Sequence, residues 1–113
     1  MGVAGNKTGV DWTEFSMDKL FFRELQFDAA AGLTNLSAFI PDYLVVNIGT
    51  NDGAMIENDA AKWEQIYLGV LRKLRAAWPQ TWFLLGCAPW TSYATEIQSV
   101  IQVRPPFFVS SQI

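Results

Sequence analysis

The twelve residues Pro41-Asp42-Tyr43-Leu44-Val45-Val46-Asn47-Ile48-Gly49-Thr50-Asn51-Asp52 decide how the rest of the chain is read. Tyr43 to Ile48 is a short apolar, partly β-branched run, closed by Pro41-Asp42 on one side and Gly49 on the other. That pattern predicts a buried strand of a parallel sheet rather than a half-exposed one. Gly49 to Gly53 then forms the loop leaving the strand's carboxyl end. In open parallel sheets, ligands and chemistry collect beyond those ends. Gly49 permits a tight exit, and the Asn51 side chain can donate two hydrogen bonds. A fixed donor at such a place can stabilise an oxyanion. The same letters also have a reading without chemistry, because Asn-Asp-Gly is a favourable turn sequence.

Working outward, residues 60 to 78 read as a helix. Trp63, Ile66, Tyr67, Val70, Leu71 and Leu74 recur at helical spacing on one face, and Pro79 ends the pattern. Trp82 to Cys87 is a second buried-strand candidate. Pro89 to Ser92 is a loop in which Thr91 or Ser92 is placed to cap a helix over about Tyr93 to Val103. Pro105-Pro106 stops that helix, and Phe107-Phe108-Val109 can begin a third strand. Upstream, residues 1 to 10 read as a Gly-rich loop, and a helical piece is expected somewhere in Thr13 to Leu25. Strands alternating with amphipathic helices imply an α/β fold, a parallel sheet covered on both faces. At 113 residues the chain is one small domain.

Composition removes several function classes. The formal net charge is −3 and there is no basic stripe, so the electrostatic footprint of a nucleic-acid binder is missing. Arg72, Lys73 and Arg75 cluster on the helix and are expected on its solvated face. No apolar run approaches the ~18 residues that cross a membrane. The single cysteine, Cys87, supports neither a disulfide framework nor a zinc site and is expected to be buried and inert. Asp52, Glu57 and Asp59 are expected to form a solvated acidic loop rather than a metal site, since hard cations need several converging oxygens. No cofactor is expected. Most of the five tryptophans are expected in the core or its rim. Trp90, in a strand-end loop, is the one suited to stack on a sugar.

The block from Pro41 to Asp52 resembles the third conserved block of SGNH/GDSL-type ester hydrolases, especially carbohydrate acetylesterases. In those enzymes a Pro-Asp, an apolar strand and Gly-Thr-Asn-Asp run together. The general order continues downstream, where a helix ends in Trp78-Pro79 before the next strand; the resemblance covers roughly residues 36 to 103. It implies a three-layer α/β/α, flavodoxin-like domain. It implies that Asn51 is an oxyanion-hole donor and that Gly49 and Asp52 shape the turn. Gly2 to Thr8 resembles the family's second block, which makes Gly5 a candidate oxyanion donor through its backbone N–H. An ester substrate follows, acetylated carbohydrate among the possibilities.

Two parts of the family's machinery are not in these residues. The chain has no histidine and no Gly-Asp-Ser nucleophile block, and the family's Asp-x-x-His block is missing with the histidine. A serine without a base is a weak nucleophile. The expectation is therefore a partial SGNH-type domain over residues 1–113, inactive as it stands, with a non-catalytic carbohydrate-binding or interaction module of the same fold as the alternative. The family's nucleophile-bearing strand would neighbour Tyr43 to Ile48. Without it that strand has an unpaired edge, and self-association through the edge is expected.

Overall fold

The computed structural model describes residues 17–24, 32–49, 52, 59–87, 93–103 and 108–112, with backbone alone for 87, 102–103 and 108–112. Within them the order is α1 (Met17–Leu20), β1 (Tyr43–Asn47), α2 (Ala60–Ala77), β2 (Trp82–Cys87), α3 (Ala94–Val103) and β3 (Phe108–Gln112). The strands form one parallel sheet in the order β1-β2-β3. A helix lies between each strand and the next and returns the chain to the starting edge, as parallel pairing requires.

Local chemistry sets the ends of these elements. Asp59 caps α2, its Oδ1 accepting the N–H of Lys62 at 3.0 Å. The helix stops at Trp78, whose N–H donates to the carbonyl of Leu74 at 2.8 Å, because Pro79 cannot follow in helical geometry. The Pro-Asp pair before β1 is stitched to the start of β2. Thr81 Oγ1 donates to the Pro41 carbonyl at 2.6 Å, and the Trp82 N–H donates to the Asp42 carbonyl at 2.8 Å. The expected helix caps Thr91 and Ser92 lie outside the described residues.

The core lies between one sheet face and the helices. Trp63, Tyr67, Val70, Leu71 and Leu74 of α2 pack with Val46, Phe83 and Leu85 of the sheet and with Tyr93, Ile97 and Val100 at α3. Large aromatic side chains carry much of this burial, at roughly 25 cal/mol per Å² of apolar surface removed from water.

Three expectations need correction. The run Tyr43 to Ile48 predicted burial on both faces, but only the face carrying Val46 is covered by the helices. Tyr43 and Val45 point the other way and are each 67% exposed, and Trp82, paired with Tyr43, is exposed beside them. Successive strand residues alternate between faces, and no described element covers that second face. Arg75 is not on a solvated face. It is half-buried, and Nη1 donates to the carbonyls of Trp78, Pro79 and Thr81 at 3.1, 3.1 and 2.7 Å. Asp52 is not solvated either: it is fully buried. The Cys87 side chain lies outside what is described.

β1 is at the edge of the described sheet. An apolar groove of about 300 Å³ follows that edge, lined by Met17 and Phe21 of the α1 region, Leu44 to Ile48, and Val70 and Leu74.

Candidate functional site

The turn Gly49-Thr50-Asn51-Asp52 leaves the carboxyl end of β1, where an open parallel sheet presents its loops. Gly49 has φ +118°, a backbone region that L side chains rarely adopt. The position is also closed to a side chain. A Cβ there would lie 3.0 Å from Trp63 Cζ2 and 3.6 Å from Tyr93 Cδ2. The glycine is thus demanded twice, by conformation and by the aromatic wall behind it.

Asp52 closes the turn. Its N–H donates to the Gly49 carbonyl at 3.3 Å. Its Oδ2 accepts the indole Nε1–H of Trp63 at 2.9 Å, and both residues are 0% exposed. A buried carboxylate without such donors would carry a large desolvation cost. The same carboxylate that ends the turn therefore ties it to the first turn of α2.

Trp63 is itself held by two rings. It stacks on Tyr67, one helical turn along α2, with centroids 4.6 Å apart and 17° between planes. It stacks on Tyr93, at the start of α3, at 4.4 Å and 1°. Three segments that leave or enter at the carboxyl end of the sheet meet at this indole. Burial first, then the negative charges of Asp52, Glu96 and Asp59, push the Tyr93 hydroxyl pKa above its ordinary value. Tyr93 thus keeps its proton throughout the neutral range. Its hydroxyl and Glu96 Oε2 are buried and have no hydrogen-bond partner among the described residues.

Of the residues read from sequence as site candidates, Gly49 and Asp52 are brought together around Trp63. Asn51, Gly5 and Trp90 lie outside the described residues. Sequence reasoning missed Trp63 and Tyr93 as parts of this assembly. It read Trp63 only as one apolar position of a helix face, and Trp63 lies eleven positions after Asp52, a spacing that no local rule links. Among the described residues no group of three or more His, Cys, Asp or Glu is gathered as a metal site. Asp52 is engaged by the indole and Asp59 caps a helix.

No family model matches the chain, and no curated protein sequence matches it. Solved structures do. One is a carbohydrate esterase whose active site displays divergent catalytic and non-catalytic binding functions, 16% identical, with a TM-score of 0.80 over 99% of this chain and 40% of that one. A second is a family two (CE2) carbohydrate esterase with a carbohydrate-binding domain from Corynascus thermopiles (Myceliophthora fergusii), 19% identical, with a TM-score of 0.78 over 98% of this chain and 39% of that one. A third is a family two carbohydrate esterase from Clostridium thermocellum in complex with cellohexaose, 17% identical, with a TM-score of 0.78 over 99% of this chain and 36% of that one. The chain shares the fold of these carbohydrate esterases over nearly its whole length. It spans about 40% of the length of the solved chains it matches.

Proposed function

We propose that residues 1–113 form part of an SGNH-type esterase domain and carry the oxyanion-stabilising half of an active site for carbohydrate esters, acetyl esters foremost. The Asn51 amide and the Gly5 backbone N–H take the roles of oxyanion donors, and Gly49 and Asp52 shape the turn that presents Asn51. The observation that carries this reading is the anchored turn: Gly49 to Asp52 leaves the carboxyl end of a parallel strand with both its ends against one buried indole. In ester hydrolysis a nucleophile adds to the carbonyl carbon, and the carbonyl oxygen takes the negative charge that such donors hold. The chain contains no histidine, so the general base of that reaction is not among its residues. As it stands it is inactive on esters.

The test has two parts. The chain alone, incubated with nitrophenyl acetate, shows no saturable turnover above background. Turnover that survives repurification and disappears in Asn51→Ala overturns the claim of inactivity. In the second part, the chain is joined to segments carrying Gly-Asp-Ser and Asp-x-x-His from a family two carbohydrate esterase. Asn51→Ala then lowers kcat by ~10²–10³, the usual cost of one lost oxyanion donor. An unchanged kcat removes Asn51 from the oxyanion hole.

A second reading is a non-catalytic carbohydrate-binding module, with Trp90 as the sugar-stacking residue. The missing histidine favours it, and so do the binding functions ascribed to the active site of a similar esterase and the cellohexaose bound by another. Calorimetric titration with cello-oligosaccharides separates the two. Binding that is lost in Trp90→Ala and kept in Asn51→Ala favours the module. The proposed partner beyond substrate is a second copy of the chain, paired through the edge of β1 that no described strand occupies.

A further inference from the structure

We infer that Trp63 is a positioning residue, whose indole fixes Gly49 and Asp52, the two residues that flank Thr50 and Asn51 in the sequence. The functional consequence rests on the reading of Asn51 as an oxyanion donor. The mechanical claim does not.

Trp63 grips the turn at both ends by different means. At the first end its six-membered ring edge abuts Gly49 so closely that a Cβ would meet Cζ2 at 3.0 Å. At the last end its Nε1–H donates to Asp52 Oδ2 at 2.9 Å. Only Thr50 and Asn51 lie between the two gripped residues. A donor that serves a reacting atom must be held to within about 0.5 Å. A ring anchored on a helix gives that precision better than a free loop does.

The indole has its own supports. It sits in the first turn of an eighteen-residue helix whose start is capped by Asp59. Stacking on Tyr67 and Tyr93 fixes the ring plane. Tyr93 reaches the indole from α3, so the turn after β1 is registered against the helix that follows β2. A purely structural tryptophan needs burial and a partner for its N–H. Here the partner is the residue that closes the turn, and the ring edge occupies the space that only a glycine leaves open.

Hydrogen–deuterium exchange read by mass spectrometry on the intact chain tests this without any ester turnover. Four proteins are compared: the parent, Trp63→Phe, Asp52→Ala and the double variant. Each single change is expected to raise exchange in peptides covering Gly49 to Asp52 about tenfold, as for loss of one local hydrogen bond. Peptides from the second half of α2 and from β2 keep their protection, which general loosening would not allow. The double variant exchanges by less than the product of the two singles, because both changes remove the same bond. Unchanged turn exchange in both singles overturns the inference, and so does a double variant whose effect is the product of the two. If Trp63→Phe loosens the whole chain, Asp52→Ala decides: loosening confined to the turn supports the inference, and none overturns it. Loss of the kcat effect of Asn51→Ala in the joined protein would remove the oxyanion reading and leave this result intact.

Discussion

Arg75 donates from Nη1 to the carbonyl of Thr81 at 2.7 Å, which ties the last turn of α2 to the residue just before β2. The same nitrogen reaches the carbonyls of Trp78 and Pro79, and the guanidinium lies 4.0 Å from the centre of the Phe83 ring. One side chain thus satisfies three carbonyls of the α2–β2 connection and covers a core aromatic.

Arg75→Met keeps the stem over Phe83 and removes the donors. Charge-assisted hydrogen bonds contribute roughly 1.5–3 kcal/mol each, less where water can replace them. A loss of about 2 kcal/mol is expected. Urea unfolding followed by tryptophan fluorescence at low micromolar concentration checks it. A midpoint equal to the parent's would show that water replaces the guanidinium without cost.

Gly49→Ala is expected to destabilise the chain by about 2 kcal/mol or more, since it combines a rare backbone region with a clash against a fixed ring. The clash at Trp63 Cζ2 cannot be relieved by a flexible side-chain end, because the indole is held by Tyr67, Tyr93 and Asp52. The same unfolding experiment measures it. Tolerance of the alanine would mean that the turn has another stable path.

Tyr93→Phe is expected to leave stability at pH 7 unchanged or raised by about 1 kcal/mol. The hydroxyl is buried with no hydrogen-bond partner among the described residues, and an unsatisfied buried polar group is costly. The change also removes an alkaline dependence. Tyr93's pKa is raised on folding, so the folded state holds its proton at pH values where the unfolded chain has lost it. The associated stability is fully present below pH ~10, the ordinary tyrosine value, and is lost as pH rises through the folded pKa. Thermal transitions recorded from pH 8 upward should fall less steeply in Tyr93→Phe than in the parent. Parallel slopes would contradict the assignment.

Val45→Lys is expected to reduce self-association. β1 is an uncharged strand at the edge of the described sheet, and Val45 is 67% exposed on the face that no described element covers. An apolar edge of this kind is a template for pairing, and a lysine there opposes it at little cost in stability. Size-exclusion chromatography with light scattering should show the parent as associated or poorly soluble and the variant shifted toward monomer. A monodisperse parent monomer would contradict the expectation.

The order of elements was legible in the sequence because their periods are local. Trp63 to Leu74 repeats with the spacing of a helix face, and α2 is found at Ala60–Ala77. Trp82 to Cys87 is an apolar run between turn residues, and β2 has those same bounds. Pro79 and the Pro105-Pro106 pair mark where helices must stop, since proline at the next position bars helical backbone in the residue before it. The glycine of the turn was legible too, because an exit from a buried strand favours one.

What the sequence could not decide was which neighbours these elements would have. An apolar run says that a strand can be buried, but the exposure of Tyr43 and Val45 depends on which layers reach their face. Arg75 has the composition of a solvated position, and the turn from Trp78 to Thr81 brings three carbonyls to it instead. Asp52 has the composition of a surface loop, and Trp63 draws it inside. In each case the deciding partner comes from outside the local period. Periodicity follows from backbone geometry within a few residues, whereas a buried charge needs donors that only packing between elements delivers.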